Sequence, residues 1–223
     1  MKVELIAWTP NPTEVIEQAA STCYDSKPGK GNIMKACLRN GHTSVAEHVL
    51  FTFRIAGVSR ALMAQLTRHR AGTAFSIRSQ RYCDEGQFGF VVPQSIMQSD
   101  APALSVYDDF MALAQATYQG LIDYGIPKED ARFVLPNACE TSITFSCNLR
   151  ELIHICHERL CNRAQWEFRK LAKAMRDAVV CVMPEADEFL VPKCETHKDC
   201  PFCPESHGCG KHPPLKDVYK AEK

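Results

Sequence analysis

Apolar and polar positions alternate in two distinct periods along the chain. Val3 to Trp8 reads as an opening strand ended by Pro10 and Pro12. Thr13 can cap a short helix running to about Cys23, and Asn32 to Arg39 reads as a helix closed by Gly41. Ser44 with Glu47 three residues later has a capping-box pattern, although flanking His42 and His48 would also suit an anion or cofactor. Val49 to Ile55 alternates as a strand, and Ser59 can cap a helix through Thr67. Tyr82 to Val92 reads as a returning strand ended by Pro93. Asp100 and Pro102 open a long amphipathic helix to about Tyr124, stopped by Gly125 and Pro127. Lys128 to Leu135 adds a helical turn or two, and Thr141 to Cys147 alternates as a strand. Asn148 to Val182 carries the longest helical stripe, from Leu149 through Leu152, Cys156, Phe168 and Met175 to Val179.

This mixed order predicts an α+β fold, a mixed sheet flanked by long helices, rather than a regular doubly wound sheet. Length suits one large domain over about residues 1–190, followed by a Cys/His-rich tail over 191–223. No apolar run approaches bilayer length, and the Met1-Lys2-Val3-Glu4 start is not a signal peptide, so a cytoplasmic protein is expected. The 26 basic and 26 acidic residues cancel, which argues against broad adhesion to nucleic acid or a membrane surface.

Against that neutral background, one basic cluster stands out. Arg68-His69-Arg70 is followed by Ser79-Gln80-Arg81-Tyr82, and no acid lies between Ser59 and Asp84. The intervening Ala71-Gly72-Thr73-Ala74-Phe75-Ser76 is small and polar enough for a ligand to approach the backbone. Such a cluster points to an anionic small molecule, a phosphate ester in particular. Lys27-Pro28-Gly29-Lys30-Gly31 lacks P-loop spacing and reads as a connector. Arg150, His154 and His157 share one helix face at i, i+4 and i+7, with Arg159 roughly opposite Arg150. Arginines on separate elements (Arg68, Arg81, Arg132, Arg159) could surround one small polyanion.

The ordered blocks resemble those of the flavin-dependent thymidylate synthases, the ThyX family. They are Gly41-His42-Thr43-Ser44 with Glu47-His48, Gln65 before Arg68-His69-Arg70, and Ser79-Gln80-Arg81-Tyr82. Ala131-Arg132 with Leu135-Pro136, Asn148-Leu149-Arg150, and Arg159-Leu160 leading to Ala164-Gln165-Trp166-Glu167 complete the set. One departure is an eight-residue gap before Ser79 where the family usually has seven, with Ile77 and Arg78 where Glu or Gln is common.

The resemblance implies reductive methylation of dUMP to thymidylate. The carbon would come from methylenetetrahydrofolate and the electrons from NADPH through FAD, in a homotetramer with shared sites. It implies that Gln65, Arg68, Ser79, Arg81, Arg132 and Arg159 hold dUMP, with Arg159 stabilising charge on the uracil. It further implies that Ser44, Arg68, His69, Arg70, Asn148, Arg150 and His154 contact FAD. No protein nucleophile is required, because the flavin carries the redox chemistry.

Twelve cysteines without a secretion signal suggest thiols or metal ligands rather than disulfides. Cys23, Cys37, Cys139, Cys147, Cys156, Cys161 and Cys181 sit among apolar neighbours and read as small buried hydrophobes. Cys194, Cys200, Cys203 and Cys209, interleaved with His197, His207 and His212, form a pattern that could grip zinc. Two other readings compete: a zinc-containing nucleic-acid-binding protein, and a flavin reductase without methyl transfer.

Overall fold

The computed structural model describes residues 1–23, 25–100 and 102–221. Its strands are β1 (Lys2–Trp8), β2 (Leu50–Ser59), β3 (Thr73–Ile77) and β4 (Glu140–Asn148), in spatial order β1-β2-β4-β3. Backbone bonds at the strand ends fix the register. Leu149 N–H donates to the Val49 carbonyl at 2.8 Å and Arg60 N–H to Cys139 at 3.0 Å, so β2 and β4 are antiparallel. Asn148 N–H to Gly72 and Arg78 N–H to Ser142 do the same for β4 and β3. Thr9 meets Leu50, and Gly57 meets Met1, which sets β1 antiparallel to β2. The α+β class holds, with an antiparallel sheet inside it.

The third strand lies elsewhere than its pattern suggested. Residues 82–92 form turns and a single bridge from Phe90 to Cys139, because Asp84 caps the Gly86 N–H at 2.7 Å and breaks the extended run. β3 instead uses the small stretch after Gly72, where Thr73, Phe75 and Ile77 alternate half-buried with exposed neighbours.

Helices α1 (Pro12–Thr22) and α2 (Asn32–Arg39) follow β1. Left-handed Asn11 precedes α1, and the Thr13 hydroxyl donates to Glu185 instead of capping. A 3₁₀ turn covers Thr43–His48 without a side-chain cap; Glu47 pairs with Arg150, so the capping box does not form. Helix α3 (Arg60–Leu66) starts as expected, with the Ser59 hydroxyl accepting from Leu62 N–H at 3.0 Å. Then come α4 (Gln94–Met97), the long α5 (Pro102–Asp123) and α6 (Lys128–Ala131).

The stripe over 148–182 is two helices, α7 (Leu149–Arg159) and α8 (Trp166–Val182), rather than one. Gln165 starts α8 by accepting from Phe168 N–H at 2.8 Å, and Arg169 ties the turn by donating to the Asn162 carbonyl at 2.6 Å. Helix α9 (Leu215–Ala221) ends the described chain.

The chain divides into two compact units. Unit 1 comprises Met1–Lys2, Ile55–Arg68 and Phe75–Thr144, and unit 2 comprises Val3–Arg54, His69–Ala74 and the chain from Phe145 onward. In unit 1, Phe88, Met111, Ala114 and Cys139 form a buried cluster flanked by Phe90, Tyr107 and Leu135. In unit 2, Phe53 and Phe145 stack at 6.4 Å, and Leu152, Cys156, Phe168, Leu171, Met175 and Val179 bury the inner stripe of α7 and α8. Each large apolar side chain so buried contributes roughly 1.5–3 kcal/mol. Among the described residues no helix is long and apolar enough to cross a membrane.

Candidate active site

Unit 2 orders its polar groups around the start and end of α7. Asn148 caps the helix by accepting from Glu151 N–H at 2.9 Å. The carboxylate of Glu151 turns to His69, with Oε1 2.9 Å from Nδ1, and both residues are buried. The other ring nitrogen, Nε2, lies 3.3 Å from Arg159 Nε. A guanidinium can only donate, so Nε2 accepts and Nδ1 carries the proton given to Glu151. Burial depresses the His69 pKa, outweighing Glu151, and Arg159 and His154 lower it further; the imidazole is neutral at pH 7. Arg159 also lies over the Phe168 ring at 4.7 Å, and Phe168 meets the His69 ring edge-on at 5.6 Å. Glu151, His69 and Phe168 thus fix the last residue of α7. The sequence reading missed Glu151, although its place three residues after the Asn148 cap was a signal.

The turn between His69 and β3 is held tightly. Thr73 hydroxyl donates to the His69 carbonyl at 2.9 Å, and Gly72 has φ +63° against the Asn148 amide. A Cβ on Gly72 would lie 2.6 Å from Asn148 Cγ, so backbone and cap side chain are in close approach. Ser44, Arg70 and His154 are exposed, with the His154 ring 5.5 Å from that of His69. Arg150 is also exposed and pairs with Glu47 through one terminal nitrogen. The exposed hydroxyl, guanidinium and imidazole suit the phosphates and polar edges of a dinucleotide such as FAD, so the donor set fits that group.

Unit 1 gathers a second set. Arg81 pairs with Glu129, Nη2 to Oε2 at 2.7 Å, and Arg132 Nε donates to the Glu129 backbone carbonyl at 3.0 Å. Glu129 therefore brings Arg81 and Arg132 together, a partner that no local spacing revealed. The Ser79 hydroxyl accepts from Arg81 N–H at 3.2 Å. Gln65 lies on α3, and Arg68 follows that helix, exposed and without an ion pair among the described residues. Arg78, which follows the lengthened gap, pairs with buried Glu85 and accepts from Arg60 through its backbone carbonyl. That residue is spent on structure.

The tail thiols are not gathered as a group of four. Among the described residues, no three of Cys194, Cys200, Cys203 and Cys209 converge; Cys194 meets Glu195 and His212 instead. Cys203 is buried, while Cys200 and Cys209 are exposed. Of the cysteines expected in the core, Cys139, Cys147 and Cys156 are buried, Cys37 and Cys161 half-buried, and Cys23 and Cys181 exposed. Burial pushes the Cys139 and Cys156 thiols up to about 12, which leaves them unreactive.

A model of the family described as "Thymidylate synthase complementing protein" matches residues 4–185. The chain is similar to flavin-dependent thymidylate synthases of Clostridium tetani (36% identical, 98% of this chain and 97% of the relative) and Geobacter sulfurreducens (39%, 99% and 98%). It also resembles the solved flavin-dependent thymidylate synthase ThyX of Helicobacter pylori complexed with FAD and dUMP. That match has a TM-score of 0.64 at 26% identity, covering 80% of this chain and 93% of that one. A UMP/dUMP methylase, PolB of Streptomyces cacaoi, shares the fold at TM-score 0.73 and 24% identity, covering 84% and 93%.

Proposed function

The chain belongs to the flavin-dependent thymidylate synthases, and we propose that it methylates dUMP to thymidylate with carbon from methylenetetrahydrofolate and electrons from NADPH through FAD. The observation that carries this reading is the match to enzymes of that activity over nearly the whole chain. FAD, when bound, supplies the hydride chemistry.

The protein's part is binding, orientation and charge. Arg159 is assigned to the uracil ring. Its Nε is occupied by His69, which leaves the terminal nitrogens to face negative charge that develops on the ring. A preset cation needs little rearrangement as that charge grows. Gln65, Arg68, Ser79, Arg81 and Arg132 are assigned to dUMP, the arginines to its phosphate. Ser44, Arg68, Arg70, Asn148, Arg150 and His154 are assigned to FAD. His69, with both ring nitrogens engaged within the protein, serves the cofactor by shaping the turn and positioning Arg159.

The reading includes a homotetramer in which several subunits contribute to each site, so the two sets of residues need not meet within one chain. Val106, Phe110 and Leu113 support it, as an exposed apolar stripe at i, i+4 and i+7 on α5. A synthase domain ending near residue 190 agrees with the extent of the family match, and a cytoplasmic location with a role in nucleotide synthesis. The nucleic-acid-binding and reductase alternatives are not favoured.

Arg159→Ala tests the assignment. FAD should remain bound, while dUMP-dependent flavin oxidation with methylenetetrahydrofolate falls roughly 10²–10³-fold. Unchanged turnover would remove Arg159 from the chemistry.

A further inference from the structure

The tail folds back against the turn that follows Arg159. Arg163 donates to the His207 carbonyl, Asn162 Nδ2 lies 3.7 Å from Cys209 Sγ, and Lys193 lies 3.7 Å from Glu158. Cys203 N–H donates to the Pro213 carbonyl at 2.8 Å. Few apolar side chains are buried here, so side-chain chemistry must fix the segment.

That chemistry is concentrated at one point. Ligand atoms of Cys194, Glu195 and His212 all lie within 4.8 Å of one another, and all three residues are half-buried. Cys194 and His212 line a cavity of about 270 Å³ together with Cys161, from the turn between α7 and α8, and with Cys203 and Cys209. A tetrahedral ion with bonds of about 2.0–2.3 Å needs its ligands about 3.3–3.8 Å apart, so a small contraction would close the set. Thiolate, imidazole and carboxylate together suit zinc rather than magnesium or calcium.

We propose that Cys194, Glu195 and His212, with Cys161 as fourth ligand, form a structural zinc site that clasps the tail to the turn after α7. The set differs from a four-cysteine knuckle because Cys200 does not line the cavity, and Cys203 and Cys209, which do, stand outside the group that Cys194, Glu195 and His212 form. Two segments apart in sequence supply the ligands, so zinc joins the tail to the turn after α7, within unit 2, rather than folding the tail on itself. Glu195 also pairs with Lys211 and lies 3.2 Å from His212 Nε2. Zinc therefore competes with the Lys211 ammonium for that carboxylate, and Lys211→Ala binds zinc more tightly.

The test is metal analysis of the full chain, purified under reducing conditions without chelator from zinc-supplied cells. About one zinc per chain is expected, retained in Cys200→Ser and lost in Cys194→Ser and His212→Ala. Loss in Cys200→Ser with retention in Cys194→Ser would overturn the ligand set, and absence of stoichiometric zinc in the parent would overturn the site. Cobalt substitution of the parent protein guards against variants that fail to fold. Its thiolate-to-metal absorption should have the strength of two thiolates, whereas four or none contradicts the proposal.

Discussion

Gly72→Ala probes the junction on which the cofactor side of the site is built. Gly72 has φ +63°, and an alanine there adopts a left-handed conformation costing about 1–2 kcal/mol. Its Cβ would also lie 2.6 Å from Asn148 Cγ and nearer still to Nδ2, so the Asn148 side chain must move. That side chain caps α7 at 2.9 Å from Glu151 N–H, and losing the cap adds about 0.5–2 kcal/mol. The combined cost is about 1.5–4 kcal/mol, or roughly 3–16 °C in melting temperature for a chain of this size. The assay is thermal unfolding of the flavin-free protein, followed by FAD titration of the variant at a temperature where it is folded. Weaker FAD binding should accompany the lower melting temperature. A Gly72→Ala protein that melts with the parent would show that Asn148 and the turn are not in close approach, and the reasoning would fail.

Other expectations follow from the same geometry. Glu151→Ala leaves the buried His69 Nδ1–H without its acceptor and should cost about 1–3 kcal/mol in urea unfolding, with a drop in turnover as Arg159 loses its brace. Turnover equal to the parent's would refute the positioning role. Arg81→Ala should weaken dUMP binding roughly tenfold or more by titration calorimetry, whereas the half-exposed pair it makes with Glu129 is worth only about 0–1 kcal/mol to stability. Burial lowers the pKa of both His69 and His157 below the usual 6.5. Between 6.5 and those lower values the unfolded chain binds more protons, so stability falls as pH drops through that window. Urea midpoints on either side of about pH 6.5 should show a smaller loss in His157→Gln than in the parent; an equal loss would exclude His157 as a source.

Where one chain segment decides its own conformation, the pattern of residues was sufficient to read it. Ser59 caps α3, Gly41 follows α2, and the alternation of Thr141 to Cys147 lies within β4. The basic cluster and its companion blocks named the family for the same reason, since they are runs of adjacent residues. Local patterns failed where a distant partner won. Glu47 left its capping box for Arg150, and Thr13 gave up its cap for Glu185. The apolar stripe continued straight through residues 160–165, but Gln165 and Arg169 satisfied the backbone there and split the helix. Glu129 carries no local signal as a site residue, and Glu151 only its place after the Asn148 cap, for a related cause: each acquires its role by meeting a side chain far along the chain. The tail thiols were legible as metal-ligand types, yet spacing alone could not show that Cys194 would meet His212.

The central claim is tested most directly by following reduced flavin on the purified protein in the presence of dUMP and methylenetetrahydrofolate. With air excluded, a yellow protein is expected whose reduced FAD is reoxidised only when both are added, with thymidylate formed in step. A colourless protein that takes up no FAD, or flavin reoxidation with no thymidylate, would contradict it.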